Sequence, residues 1–138
     1  MLNEYKTMPT EKRLAVSQII FEILRGWNID EINQINLLGF PKDTKPRILK
    51  RYQHDTPLPD HEETIERMTH IFEIAEALRT TYPCNYGMAK KWLQTPHRRF
   101  NKRTPIDMML DEGLGGLIAV RADLDCAYAW SLTEPQKN

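Results

Sequence analysis

Apolar residues recur three and four positions apart along most of the 138-residue chain, and this spacing constrains the fold more than any other feature. Val16, Ile20 and Ile23 follow it near the N-terminus, and Leu117 and Val120 follow it near the other end. No segment alternates apolar and polar residues in the way that two strands joined by a hairpin turn would. We therefore predict an all-α fold of about seven helices.

Capping residues and prolines place the ends of these helices. The segment from His54 to Pro59 contains two prolines and is predicted to be a linker. Pro46 and Pro105 fall in the first turn of their helices, where a proline removes no intrahelical hydrogen bond. Five helices are expected to begin at a capping side chain, namely Thr10, Asp30 or Asn28, Thr44, Asp60 and Thr104.

Composition and motifs narrow the functional classes. No apolar run approaches the ~18 residues of a membrane span, and the first residues lack the pattern of a secretory signal, so we expect a cytoplasmic protein. The chain also lacks the paired histidines of a zinc protease helix, a glycine-rich phosphate loop and a G-x-S-x-G motif. Cys84 and Cys126 are too few for a disulfide framework, and Cys84 is more simply an incidental thiol than a nucleophile. We expect neither an enzyme nor a bound cofactor or metal.

Charge is informative locally, because 19 basic and 19 acidic residues cancel over the whole chain. Five cations and one acid lie between Lys42 and Arg51, and six cations and no acid lie between Lys90 and Arg103. Such clusters are typical of a surface that binds a polyanion, although a solvated helix face has the same pattern.

The first basic cluster lies in a predicted helix-turn-helix over residues 29–53. A short helix is followed by a turn at Leu38-Gly39-Phe40 and a basic helix, and Leu37, Leu38 and Ile48 are expected to lock the two helices together. The second helix would enter the major groove of DNA. An ordinary corner between two helices, with solvated lysines, stays open as the alternative. The predicted DNA-binding residues are Thr44, Lys45, Arg47, Lys50 and Arg51.

The second basic cluster belongs to a longer pattern. The segment Trp92–Leu110 reads W-L…P…F-x-x-x-T-P-x-D-x-M-L, and a turn with glycines leads from it into V-R-x-x-L-D at residues 120–125. This order resembles the toxin-binding domain of the Xre/MbcA/ParS antitoxin family. Upstream, L-L-G-F at 37–40, T-x-x-R at 44–47 and T-x-E-R at 64–67 also resemble that family, so that the resemblance covers about residues 20–130. Two departures are Ile48, where the recognition helix usually has an aromatic residue, and A-Y-A-W at 127–130 in place of a glycine-rich end.

The resemblance implies an antitoxin encoded beside a RES-type toxin, which consumes NAD or transfers its ADP-ribose. The C-terminal part would cover the toxin, and the N-terminal part would bind operator DNA as a homodimer and repress the operon. The implied division is a helix-turn-helix region at 1–57, a connecting helix at 58–84, a toxin-binding domain at 85–130 and a flexible tail at 131–138. The expected toxin-binding residues are Arg103, Arg121, Asp125, Tyr128 and Trp130.

Other interpretations of the same residues remain at this point. Tyr128 and Trp130 follow an acidic segment and would suit a partner's basic cleft as anchors, or they would close and cap the core instead. The whole chain would alternatively be a solitary DNA-binding regulator without a toxin partner. A third alternative is a protein-binding helical module whose helix-turn-helix is structural only.

Overall fold

A computed structural model describes residues 2–83 and 85–133, with side chains placed for 4–83 and 85–126. Over these residues the fold is all-α, as predicted, and its two non-α elements are short 3-10 helices at Leu2–Thr7 and Arg98–Phe100. A single isolated bridge pairs His97 with Arg103. The seven α-helices are α1 (Thr10–Gly26), α2 (Glu31–Leu37), α3 (Pro46–His54), α4 (Glu62–Thr81), α5 (Tyr86–Leu93), α6 (Pro105–Glu112) and α7 (Leu114–Thr133).

The chain divides into two compact units, residues 1–72 and 73–138. The first unit contains α1, α2, α3 and the first half of α4, and the second contains the rest of α4 with α5, α6 and α7. Each unit has buried apolar side chains of its own, such as Phe21 and Leu49 in the first and Leu93 and Met109 in the second.

Two predicted caps are confirmed and three are wrong. The Asp30 side chain accepts from the Asn33 N–H, and the Thr104 side chain accepts from the Asp107 N–H. Thr10 is instead the first helical residue of α1, after Pro9 as N-cap.

The cap of α3 is Lys45 rather than Thr44, and its side chain makes no capping hydrogen bond. Pro46 explains the shift, because a residue before proline is held in the extended region, and Lys45 has φ −82° and ψ 144°. Helix α4 begins at Glu62, where the Ile65 N–H donates to the His61 carbonyl, so that Asp60 lies too early to cap it.

A buried polar network fixes the start of the chain, which the sequence did not reveal. The Tyr5 ring is fully buried, and its hydroxyl donates to the Leu58 carbonyl at 2.6 Å and lies 3.3 Å from Ser17 Oγ. The Leu58 N–H donates to Ser17 Oγ at 2.8 Å, and Ser17 donates to the Arg13 carbonyl at 2.9 Å. Two side chains therefore satisfy both backbone groups of a linker residue that has no helical partner.

Replacing Ser17 by alanine is expected to lower the free energy of unfolding by about 1–3 kcal/mol, because the buried Leu58 N–H loses its acceptor. Urea unfolding followed by circular dichroism measures this loss. Thr7→Ala is the matched control, since that hydroxyl donates at the surface to the Glu4 carbonyl. Equal stability of the Ser17→Ala protein and its parent would contradict a structural role for the network.

Candidate functional site

Helices α2 and α3 pack against each other in the first unit, but the connection between them differs from the prediction. It runs over eight residues, 38–45, and is longer than the three or four residues of the usual helix-turn-helix. Leu37 and Leu38 are buried as expected. Ile48, however, is 38% exposed, and Leu49 is fully buried in its place.

Polar and aromatic contacts hold the two helices together. The buried Gln34 side chain donates to the Ile29 carbonyl at 2.8 Å and accepts from the Gln53 side chain at 3.4 Å. The Phe40 ring stacks on the Tyr52 ring with 5.4 Å between their centroids, so that the connection is tied to α3. These contacts fix the orientation of α3 within the first unit.

The turn at Gly39 favours glycine through its backbone conformation, and a side chain there would displace Arg67. The φ of Gly39 is +82°, a backbone conformation that other L-residues rarely adopt, and a Cβ would lie 2.8 Å from Arg67 Nε. The Arg67 side chain comes from α4 and donates through Nη1 to the Leu37 carbonyl at 3.3 Å. It thereby satisfies a carbonyl at the end of α2 that has no intrahelical donor.

One face of α3 is a basic stripe. Arg47, Lys50 and Arg51 are exposed at positions three and four residues apart, and His54 continues the stripe at the end of the helix. Within the described residues, the three Lys and Arg side chains of the stripe make no ion pair and no hydrogen bond. The stripe can therefore offer its full charge to a polyanion.

The other two predicted DNA-binding residues lie beside the stripe. Lys45 is exposed at the start of α3, and Thr44 is half-buried. Both line an open pocket of about 330 Å³ between α2 and the connection, whose lining also includes Ile32 and Ile35. The structure thus places all five predicted residues on α3 or on the two residues that precede it, and Thr44 is the least accessible of them.

In the second unit, α6 and α7 form a tight helical hairpin with only Gly113 between them. Gly113 has φ +58°, and its carbonyl accepts from the Leu117 N–H, so α7 begins at Leu114, slightly before the predicted start. Gly116 marks the closest approach of the two helices, because a Cβ there would lie 2.0 Å from the Met108 carbonyl oxygen.

A short loop at residues 94–104, which we call the basic loop, joins α5 to α6. The His97 N–H donates to the Arg103 carbonyl and the Lys102 N–H donates to the His97 carbonyl, so the loop is closed at its base. The His97 ring lies near the rings of Trp92 (5.0 Å) and Phe100 (6.1 Å), and Nε2 donates to the Trp92 carbonyl at 3.0 Å. These contacts attach the loop to the last turn of α5.

The structure pairs both arginines predicted to face the toxin with acids of the same chain. Arg103 donates to Asp111 at 2.7 Å and to Glu112 at 3.3 Å, and these two hydrogen bonds raise its pKa. Arg121 Nε lies 3.9 Å from a carboxylate oxygen of Asp125 one turn later on α7. Arg103 therefore holds the basic loop to the end of α6, a structural contact that sequence reasoning did not anticipate.

The remaining predicted toxin-binding residues are Asp125, Tyr128 and Trp130. Asp125 is exposed on α7. Tyr128 and Trp130 lie on the helical backbone of α7, but their side chains are outside the described residues, as are Cys84 and residues 134–138. The part of the predicted tail at 131–133 is the last turn of α7.

The exposed face of α7 was missed by the sequence analysis. Gly115, Ile118 and Ala122 recur along it with Asp125, and the Ile118 side chain is 45% exposed. The signal was present in the sequence, because Leu117, Val120 and Leu124 mark the buried face and leave these positions on the opposite side. An apolar strip with a charge at its end suits a protein partner.

Among the described side chains, no three His, Cys, Asp or Glu residues come together as ligands for a metal ion. No helix in the described part of the chain is both long and apolar enough to cross a membrane.

Comparison with known proteins relates part of the second unit to a protein family. Residues 85–126 match the family model of the antitoxin Xre/MbcA/ParS C-terminal toxin-binding domain. Residues 85–126 belong to the Xre/MbcA/ParS antitoxin family through this domain. The matched segment contains α5, the basic loop, α6 and the first part of α7. The predicted resemblance is thus confirmed for the C-terminal part.

One relative matches most of this chain. The uncharacterized protein y4oB of Sinorhizobium fredii is 30% identical over 111 residues, which are 80% of this chain and 82% of that protein. No solved structure matches this chain.

Proposed function

We propose that this protein is the cytoplasmic antitoxin of a type II toxin–antitoxin system, which neutralises a RES-type toxin by binding and occluding it. The observation that carries the proposal is the toxin-binding domain at residues 85–126. The toxin docks on the exposed face of α7, where Ile118 and Ala122 supply apolar contact and Asp125 supplies charge. Tyr128 and Trp130 follow along the same helix as aromatic anchors.

Arg103 and Arg121 contribute to toxin binding in different ways. Arg103 stabilises the fold of the domain, and Arg121 lies at the edge of the docking face. Arg103 holds the basic loop against α6 through Asp111 and Glu112, so its effect on the toxin is indirect. Arg121 is half-buried beside Asp125 and lies at the edge of the α7 face.

The test of toxin binding is co-expression with the product of a neighbouring RES-type gene. A tagged antitoxin is expected to co-purify with this product and to restore the growth of cells that express it. A neighbouring RES-type protein that is folded but does not co-purify, and whose toxicity is unchanged, would contradict the proposal.

The same protein represses its own operon by DNA binding. Arg47 and Lys45 near the start of α3 contact base edges or flanking phosphates, and Lys50 and Arg51 contact the backbone one turn later. Support comes from the exposure of the stripe and from its lack of acidic partners among the described residues. A homodimer would place two such helices on paired half-sites.

Replacing Arg47 by alanine is expected to weaken binding to the upstream operator by about 1–3 kcal/mol if the side chain contacts a base. A gel-shift titration at fixed salt measures this change. Arg79→Ala is the matched control, because it removes the same charge from an arginine that is paired with Glu76 on α4. Equal affinities of Arg47→Ala and the parent protein would contradict the assignment of α3 as the recognition helix.

A further inference from the structure

The second unit has a positively charged surface that the proposed toxin contact leaves unused. Between Glu76 and Asp107 lie thirty residues with seven cations and no acid. This excess of cations is local, because the whole chain has equal numbers of acidic and basic residues. Six of the seven cations lie within residues 85–126, away from the α3 stripe in sequence, which makes this segment a separate feature.

Three of the seven cations are paired with acids of the same chain. Arg79 pairs with Glu76, Arg99 pairs with Asp123 at 2.7 Å, and Arg103 pairs with Asp111 and Glu112. These contacts maintain the fold, since Arg99 ties the basic loop to α7 and Arg103 ties it to α6. They leave little charge available to a partner.

The other four cations are exposed, and their side chains make no ion pair or hydrogen bond within the described part of the chain. They are Lys90, Lys91, Arg98 and Lys102, and we call them the basic loop surface. Lys90 and Lys91 lie in the last turn of α5, and Arg98 and Lys102 lie in the loop that follows.

The backbone under this surface is fixed. The His97 ring contacts Trp92 and Phe100, and its Nε2 donates to the Trp92 carbonyl in the last turn of α5. Asn101 and Lys102 are both left-handed, with φ of 55° and 65°, which turns the chain back so that Arg103 can pair with His97. The loop and the end of α5 are therefore presented together, with their long cationic side chains extending into solvent.

The chemistry of these side chains favours phosphate over a protein surface. Lysine is depleted in the cores of protein interfaces, where aromatic residues, methionine and arginine are enriched. Three of the four residues are lysines, and the exposed face of α7 is an apolar surface of this unit that suits a protein. Phosphate backbones, in contrast, are bound through lysine and arginine without demanding geometry.

We propose that the basic loop surface binds the phosphate backbone of double-stranded nucleic acid without sequence preference. This contact is additional to the recognition of an operator by α3. It lies in the domain of this chain that is proposed to bind the toxin. It is independent of any operator sequence and of the toxin, so that its test does not depend on either part of the proposed function.

The test uses the full chain with Lys90, Lys91, Arg98 and Lys102 all replaced by glutamine. Fluorescence anisotropy follows binding to a duplex of about 30 base pairs and arbitrary sequence, between about 50 and 200 mM salt. The variant is expected to bind at least tenfold more weakly at the lower salt concentration. The slope of log K against log salt is expected to become shallower by about 2–4, because each lost phosphate contact contributes about 0.9.

The matched control replaces Lys6, Lys12, Arg25 and Arg79 by glutamine, which gives the same change in net charge at other exposed positions. Its slope is expected to stay within about one unit of the parent's. Equal losses in the two variants would overturn the proposal, because net charge alone would then explain the binding. An unchanged slope in the loop variant would overturn it as well.

A second probe distinguishes nucleic acid from an acidic protein. If the loop variant loses binding to poly-glutamate and keeps its binding to the duplex, the surface fits an acidic protein and the proposal is wrong. Circular dichroism melting checks the fold of each variant. If the quadruple variant does not fold, the pairs Lys90→Gln/Lys91→Gln and Arg98→Gln/Lys102→Gln are each expected to reduce the slope by about 1–2.

Discussion

The Gly116→Ala protein is expected to be less stable than its parent by about 3 kcal/mol or more, and to lose toxin binding as its second unit becomes disordered. The added Cβ would lie 2.0 Å from the Met108 carbonyl oxygen and 2.6 Å from its carbonyl carbon. Both atoms belong to the backbone of α6, so relief requires a shift of the whole helix. Urea unfolding and co-purification with the toxin measure the two effects.

The neighbouring residue provides the control for this experiment. Gly115 is also in the first turn of α7, but nothing lies within 4 Å of a Cβ placed there. Gly115→Ala is therefore expected to retain full stability or to gain up to about 1 kcal/mol from its higher helix propensity. Similar losses in both proteins would show that the α6–α7 approach is not the cause.

Truncation after Ala127 is expected to reduce affinity for the toxin by at least about 100-fold, because it removes the two aromatic anchors Tyr128 and Trp130. The buried residues Val120 and Leu124 are retained, so the core of the second unit persists. Operator binding is expected to stay within about twofold, since α3 is unchanged. Growth rescue in cells that express the toxin, together with gel shifts, measures both properties.

Two comparisons complete this experiment. Truncation after Thr133 leaves α7 at its full length and is expected to rescue growth as well as the parent does. If the protein ending at Ala127 rescued growth fully, the role assigned to Tyr128 and Trp130 would be wrong.

The fold class and several helix ends could be predicted because their signals are local. Asp30 and Thr104 cap through backbone groups three residues away, and Pro46 sits at the first position of α3. The predicted capping residues are wrong where a long-range contact or a neighbouring residue determines the backbone conformation at the start of the helix. Asp60, for example, follows the Leu58 backbone, which Tyr5 and Ser17 hold from 53 and 41 residues away.

The residues of the candidate sites also fall into two groups, those that local spacing predicts and those whose role depends on long-range packing. The stripe of Arg47, Lys50 and Arg51 could be predicted because helical spacing alone places these residues on one face. The roles of Arg67 at the Gly39 turn and of Arg103 beside Asp111 could not, since each depends on which elements pack together. An isolated arginine has the same appearance in the sequence whether it binds a partner or closes a loop.

The most direct test of the central claim is isothermal titration calorimetry of the purified full-length protein with the purified RES-type product of the adjacent gene. We expect saturable binding with a defined stoichiometry, and a negative heat-capacity change between two temperatures as the apolar face of α7 is buried. The absence of binding heat at both temperatures, with both proteins folded by circular dichroism, would contradict the account.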